Sequence, residues 1–242
     1  MGRIRTVILI IISFFSLEGI SQEKEFHSDE QLWLGYFNQT KFAEHWGIWT
    51  DLHLRTSDQL VGEVRQVMGR VGISFFRSKD LRFTLGYAFV NQTPGEDRNA
   101  LIENRPWQQM MWLTHRNKTK ITQWLRFEQR FRKVEIGEIY SDRFNFRLRF
   151  NSLLQIPIQK KEDSKYYWVF NEEIFVNFGK EIIYNTFDQN RFFTGISYHH
   201  SHSLIFQLGY MNIVQQQESG NQYDIHHCIR FFIFQNLDLS TN

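Results

Sequence analysis

The chain contains a single cysteine, Cys228, three prolines and, beyond its first twenty residues, no long apolar run. One thiol excludes an internal disulfide and the paired thiolates of a structural zinc site, and Cys228 reads as a small side chain within a strand. The missing apolar run excludes a helical membrane protein, because each helical span needs ~20 nearly continuous apolar residues. Three prolines and 14 glycines are few for a soluble β-sandwich, whose many short strands require frequent turns. An excess of one charge is missing as well. The 28 basic and 26 acidic residues are interleaved, so the formal charge of +2 gathers into no patch suited to nucleic acid. There is no glycine-rich phosphate loop, helix-based zinc motif or cysteine cluster.

What the chain does have is alternation. In Gln123-Trp124-Leu125-Arg126-Phe127-Glu128-Gln129-Arg130-Phe131-Arg132, Leu125, Phe127 and Phe131 share one parity and Arg126, Glu128 and Arg130 the other. The segment Arg143-Phe144-Asn145-Phe146-Arg147-Leu148-Arg149-Phe150-Asn151 behaves in the same way. A period of two means strands with two unlike faces. Eleven such strands are recognisable, near 31–38, 42–55, 64–76, 81–92, 102–115, 120–132, 142–156, 166–178, 189–199, 203–214 and 223–234. Many exceed the usual length of about five or six residues and approach what crosses a bilayer at a tilt. Polar turns at 38–41, 77–80, 116–119 and 199–202 alternate with longer connections such as 91–99. Trp33, Trp46, Trp112, Trp124, Trp168, Tyr198 and Tyr210 lie near strand ends, where rings suit a membrane interface.

Ahead of these strands, Arg3 and Arg5 precede an apolar run from Val7 to Leu17, and Gly19-Ile20-Ser21 offers a cleavage site. Residues 1–21 therefore read as a secretory signal peptide and 22–242 as the exported domain. Export, long alternating strands and 17 % aromatic content together predict an all-β fold, a single antiparallel transmembrane β-barrel in the outer membrane of a Gram-negative bacterium. Single-chain bacterial barrels have an even strand number, so about twelve strands are expected, with ten as the alternative. The expected partners are outer-membrane lipid and the barrel-assembly machinery, although a polar tail from Gln235 to Asn242 follows the final aromatic strand. No nucleic-acid partner is expected. A soluble periplasmic β-protein would carry the same alternation with its faces reversed.

Several segments carry a family likeness: Glu103-Asn104-Arg105-Pro106-Trp107-Gln108-Gln109, Arg126 to Phe131, Arg147-Leu148-Arg149, Asn171-Glu172-Glu173-Ile174-Phe175, Phe187-Asp188-Gln189-Asn190-Arg191 and Gly209-Tyr210-Met211. In their order and spacing, over roughly residues 30 to 234, they resemble a family of exported barrels catalogued as domain of unknown function 2490. The resemblance implies an outer-membrane β-barrel and supplies no activity.

Glu103, Arg105, Gln109, Arg126, Glu128, Arg130, Arg147, Arg149 and Arg191 are expected to point into the barrel as a lumen polar network. Enclosed charges need partners, and cross-strand Arg and Glu supply them. Excess arginine could also form a selectivity or binding site for a small anionic solute or a lipid headgroup. Such packing is too narrow for a general porin and fits a narrow or plugged channel. The other class is a barrel enzyme acting on envelope lipids, for which His199, His200, Ser201, His202 and Ser203 form the candidate cluster. Their context is that of a hairpin turn, so no catalytic residue, cofactor or metal ligand is assigned. Glu172 and Glu173 are adjacent, and one of them must face outward unless it lies near the interface or a bulge turns it in.

Overall fold

The computed structural model describes residues 23–57, 60–94, 99–137, 139–159 and 164–240. The expected signal peptide, 1–21, lies outside the described residues. Among these residues eleven strands form one closed barrel: β1 (Glu25–Lys41), β2 (Trp46–Thr56), β3 (Val64–Phe76), β4 (Leu81–Gln92), β5 (Leu101–Arg116), β6 (Thr119–Ile136), β7 (Ile139–Pro157), β8 (Tyr166–Phe178), β9 (Phe187–His199), β10 (Leu204–Gln216) and β11 (Gln222–Asp238). The bounds of β3, β4 and β8 coincide with those read from alternation. The polar tail is shorter than expected, because Gln235 to Asp238 continue β11 along β1.

Consecutive strands pair antiparallel all the way from β1 to β11. The barrel then closes by a parallel seam, from Glu25 opposite Gln222 to Lys41 opposite Asp238. This seam is why the strand number is eleven rather than the even twelve or ten. Hairpin logic requires an even number only if the last strand returns antiparallel to the first. The connections β1–β2, β3–β4, β5–β6, β7–β8 and β9–β10 lie at one rim, called the first rim below, and the others at the second rim. The chain enters β1 at the second rim and leaves β11 at the first.

Parity sorts the side chains. Ile48, Leu52, Val71, Ile73, Leu85, Phe89, Leu125 and Leu208 are exposed on the outer surface, whereas Asp51, Arg70, Glu103, Arg126, Glu128 and Arg147 are buried inside. Two local irregularities modify the pattern. Pro106, which has no N–H to donate, sits at a gap in the β5–β6 ladder between Asn104 opposite Phe131 and Trp107 opposite Glu128. A bulge in β9, where Asp188 is the extra residue between Gln189 opposite Phe175 and Phe187 opposite Val176, lets both Asp188 and Gln189 be buried inside.

Not all of the interior is polar. Trp33, Val169, Phe193, Met211, Ile213, Cys228 and Phe232 form one buried apolar cluster, extended by Phe37, Leu153 and Phe234. Trp49, Ala88 and Trp107 form a smaller one. Glycine makes room for the larger rings. A Cβ on Gly86 would sit 2.5 Å from Cε2 of Trp107 and 2.5 Å from the carbonyl oxygen of Val71. Gly86→Ala is therefore expected to destabilise the barrel by about 1–3 kcal/mol through overpacking. Urea unfolding followed by tryptophan fluorescence measures this, and an unchanged midpoint would mean that Trp107 does not rest on this backbone.

Candidate functional site: an arginine-rich barrel interior

Four buried carboxylates on the β5 to β9 side organise the interior. Glu128, with 0 % of its surface exposed, sits on β6 and Arg147 and Arg149 lie next to it on β7. Arg147 approaches Glu128 at 2.7 Å through Nη2, and Arg149 donates to it through Nη1 at 2.8 Å. Arg105 and Arg126 stand farther off, at 3.7 and 4.0 Å. Glu103 accepts from Nε of Arg105 and Nε of Arg130, each at 2.7 Å. Glu173 takes Arg149, with Arg191 at 3.9 Å, and Asp188 accepts from Arg147 at 2.9 Å. The period of two makes this possible, because residues two apart on one strand meet residues two apart on the next.

A second knot lies on β2 and β3, where Asp51 accepts from Arg70 Nε at 2.7 Å and Trp49 Nε1 at 2.5 Å, and His53 Nε2 lies 3.0 Å away. A third joins Asp29 to Arg65 at 3.1 Å and to His226. Several guanidinium groups also lie over rings. Arg126 is 4.5 Å from the Trp107 centroid and 4.8 Å from that of Trp124, and Arg149 is 4.5 Å from Phe175.

These residues surround a cavity of about 1270 Å³. Its lining includes Ser78, Asp80, His200 and His202 at the first rim and Arg65, Gln92 and Leu101 toward the second. At the second rim the β10–β11 turn reaches over to β6 and β7, where Glu218 meets Arg143 at 2.6 Å and Arg132 at 3.5 Å. From the β8–β9 connection, Glu181 accepts the backbone N–H of Phe144 at 2.9 Å. The side chain of Tyr184, from that same connection, packs against Gly220 of the turn.

All nine residues assigned to the polar network face this interior: Glu103, Arg105, Gln109, Arg126, Glu128, Arg147 and Arg149 are buried, and Arg130 and Arg191 are nearly so. Gln109 accepts both Nε and Nη2 of Arg126, at 2.8 and 2.6 Å. The adjacent pair divides between the faces. Glu173 points in, while Glu172 points out and accepts from the side-chain amide of Asn190. Asp51, Arg70 and Arg230 were legible by parity alone, since each alternates with outer apolar neighbours. Asp188 was not, because the bulge that turns it inward breaks the parity.

Two rings expected near a membrane interface are inside instead. Trp33 is buried beneath Arg55, whose guanidinium carbon is 3.6 Å from the ring centroid, and Trp124 lies between Arg126 and Arg149. Both share the parity of the interior charges. Ser201 forms a turn rather than a catalytic dyad. Its Oγ accepts from the backbone N–H of Ser203 and Leu204 at 3.3 and 3.1 Å, and it contacts Ser203 Oγ at 3.1 Å. His199 meets Ser197 at 3.0 Å instead. Among the described residues no group of His, Cys, Asp and Glu is placed to hold a metal ion.

The family model described as "Protein of unknown function (DUF2490)" matches residues 30–224. The chain belongs to the DUF2490 family. No curated protein and no solved structure matches this chain. The family match spans β1 to the start of β11, so it takes in nearly the whole barrel and every residue of the Glu128 and Glu103 knots. For this DUF2490 barrel, the charged interior is the chemically distinctive feature.

Removing one partner from a buried ion pair costs about 3–5 kcal/mol, because the remaining charges are left uncompensated. Glu128→Gln is expected to destabilise the barrel on that scale. Glu172→Gln keeps an acceptor for Asn190 and removes a charge from the outer face, so it should leave the barrel at least as stable. Equilibrium unfolding of both variants decides it, and equal effects would contradict the assignment of the two faces.

Proposed function

We propose that the protein is a non-enzymatic outer-membrane β-barrel of a Gram-negative envelope, with a narrow channel plugged at its second rim by the β10–β11 turn. The observation that carries this reading is the outer surface of the closed sheet. Large apolar side chains cover it from β1 to β11, far beyond the few hundred Å² of contiguous apolar surface usual for a soluble monomer.

Outward polar side chains support the reading, because several find partners on neighbouring strands rather than depending on water. Gln108 and Gln129 exchange amide hydrogen bonds at 3.3 and 3.0 Å, Tyr210 meets His227 at 2.5 Å, and Trp112 donates to Gln123 at 3.0 Å. Rings gather toward both rims of this surface. Tyr166 stacks on Tyr198 and Trp46 lies against Phe75 near the first rim, while Phe26 stacks on Tyr223 near the second. Two such belts suit the two interfaces of a bilayer. Outer-membrane lipid and the barrel-assembly machinery are then the natural partners, and residues 1–21 act as the export signal. The ion-pair knots brace the strands and occupy much of the bore, which argues against a wide porin.

Gel mobility tests the reading. The membrane-fraction protein should migrate faster before boiling than after, as a detergent-resistant barrel does. Recovery in the soluble fraction with no shift would overturn it in favour of a soluble β-protein. The plug makes a second expectation. Glu218→Ala, which releases Arg132 and Arg143, should raise single-channel conductance in planar bilayers, and an unchanged conductance would remove the turn as a plug.

A further inference from the structure

The interior has two unlike walls. On β5 to β9 the arginines Arg105, Arg130, Arg147 and Arg149 each have a carboxylate oxygen within 3.0 Å, and Arg126, 4.0 Å from Glu128, donates to Gln109. On the β11–β1–β2 side the carboxylates Asp29 and Asp51 are taken by Arg65 and Arg70, with His226 and His53 beside them. Among the described residues, no carboxylate lies within 4.0 Å of Arg55 or Arg230, and Arg191, which reaches toward this side, has a single contact at 3.9 Å. The charges acting most strongly on Arg55 are four cations, Arg191, Arg105, Arg70 and Arg149. The Nε atoms of Arg55 and Arg230 are buried and have no hydrogen-bond partner.

These three guanidinium groups rest on apolar rings. Arg55 lies 3.6 Å and Arg191 4.9 Å from the centroid of Trp33, and Arg230 lies 3.4 Å from Phe193 and 4.6 Å from Phe232. The rings belong to the larger apolar cluster, whose Phe37, Met211, Ile213 and Phe234 also line the cavity. Cationic heads thus stand beside an apolar wall, within a volume of about 1270 Å³. Small-molecule sites typically occupy about 300–1,000 Å³, so the space suffices for a flexible chain.

We propose that the cavity binds an amphiphilic monocarboxylate, its head held by Arg55, Arg191 and Arg230 and its alkyl body lying along Phe37, Met211, Phe232 and Phe234. This rests on the channel reading and names what the bore accepts. A carboxylate matches the planar fork of a guanidinium, supplies the counter-charge that Arg55 lacks and accepts from its free N–H. The aromatic support holds the forks in place before the ligand arrives, which lowers the ordering cost of binding. The apolar wall distinguishes such a ligand from a bare inorganic anion, which would gain nothing from Phe232 or Met211.

The test uses the purified full-length barrel in a non-ionic detergent, titrated calorimetrically with decanoate, decyltrimethylammonium and inorganic phosphate. Decanoate should bind about tenfold or more tightly than either of the others. Arg55→Gln and Arg230→Gln should each weaken it by about tenfold, the scale on which a charge-assisted hydrogen bond is lost. Arg77→Gln, on an exposed first-rim turn, should leave it unchanged. Should a cavity variant fail to fold, a chain-brominated decanoate provides a second measurement on the unaltered protein, where it should quench tryptophan fluorescence through Trp33. Equal binding of the cation, equal binding of phosphate, indifference to both arginine substitutions, or absence of quenching would each overturn the proposal. A barrel that keeps its unboiled gel shift yet ignores decanoate would refute this inference alone. A protein with no shift in the soluble fraction would refute the membrane reading.

Discussion

A closed sheet gives each side chain one of two places to go, and the period of two decides which. The sorting of charge and apolar surface in this barrel follows from that constraint. Where alternation is kept, charge gathers inside and apolar surface outside, and a slip of one residue in any strand would exchange the two sets. The ion pairs enforce the register in return. Glu128 can meet Arg147 directly opposite and Arg149 on the diagonal only when β6 and β7 pair as they do. The cost of leaving any of these charges alone makes other registers expensive.

The interior is nevertheless not symmetrical. Glu103, Glu128, Glu173 and Asp188 on β5, β6, β8 and β9 neutralise Arg105, Arg130, Arg147 and Arg149, and Asp51 on β2 is taken by Arg70, while Arg55 of β2 and Arg230 of β11 lie against aromatic rings. One side of the bore is thus occupied by mutual neutralisation and the other keeps cationic capacity. The β10–β11 turn at the second rim uses the same chemistry on a smaller scale, with a single glutamate bridging arginines from two strands.

Much of this was legible in the sequence because both signals are local. Alternation bounded by polar turns located β3, β4 and β8, and parity placed the nine network residues on the inner face. What was hidden depends on relations between distant strands. The odd strand number follows from whether β1 and β11 meet parallel or antiparallel, and no local pattern states that. Asp188 is concealed by a bulge, and Trp33 and Trp124 lie near strand ends as interfacial rings do, with only their parity marking them as interior. Which arginines lack a carboxylate depends on the register of several strands around the barrel. Arg55 and Arg149 look alike in sequence, yet one rests on an indole and the other on two glutamates.

The parallel seam gives the barrel a direction. Because the first strand and the last run the same way, the polypeptide passes through the cylinder a net once, entering the sheet at one rim and leaving it at the other. If the cylinder sits in a bilayer, the two ends of the sheet lie in different compartments, and a segment preceding β1 faces different surroundings from one following β11. The seam also joins the strands most distant in the chain, and a parallel ladder is slightly weaker per residue than an antiparallel one. Its completion must await the placement of all the intervening hairpins, so among the ladders of this cylinder the seam is the natural last to zip.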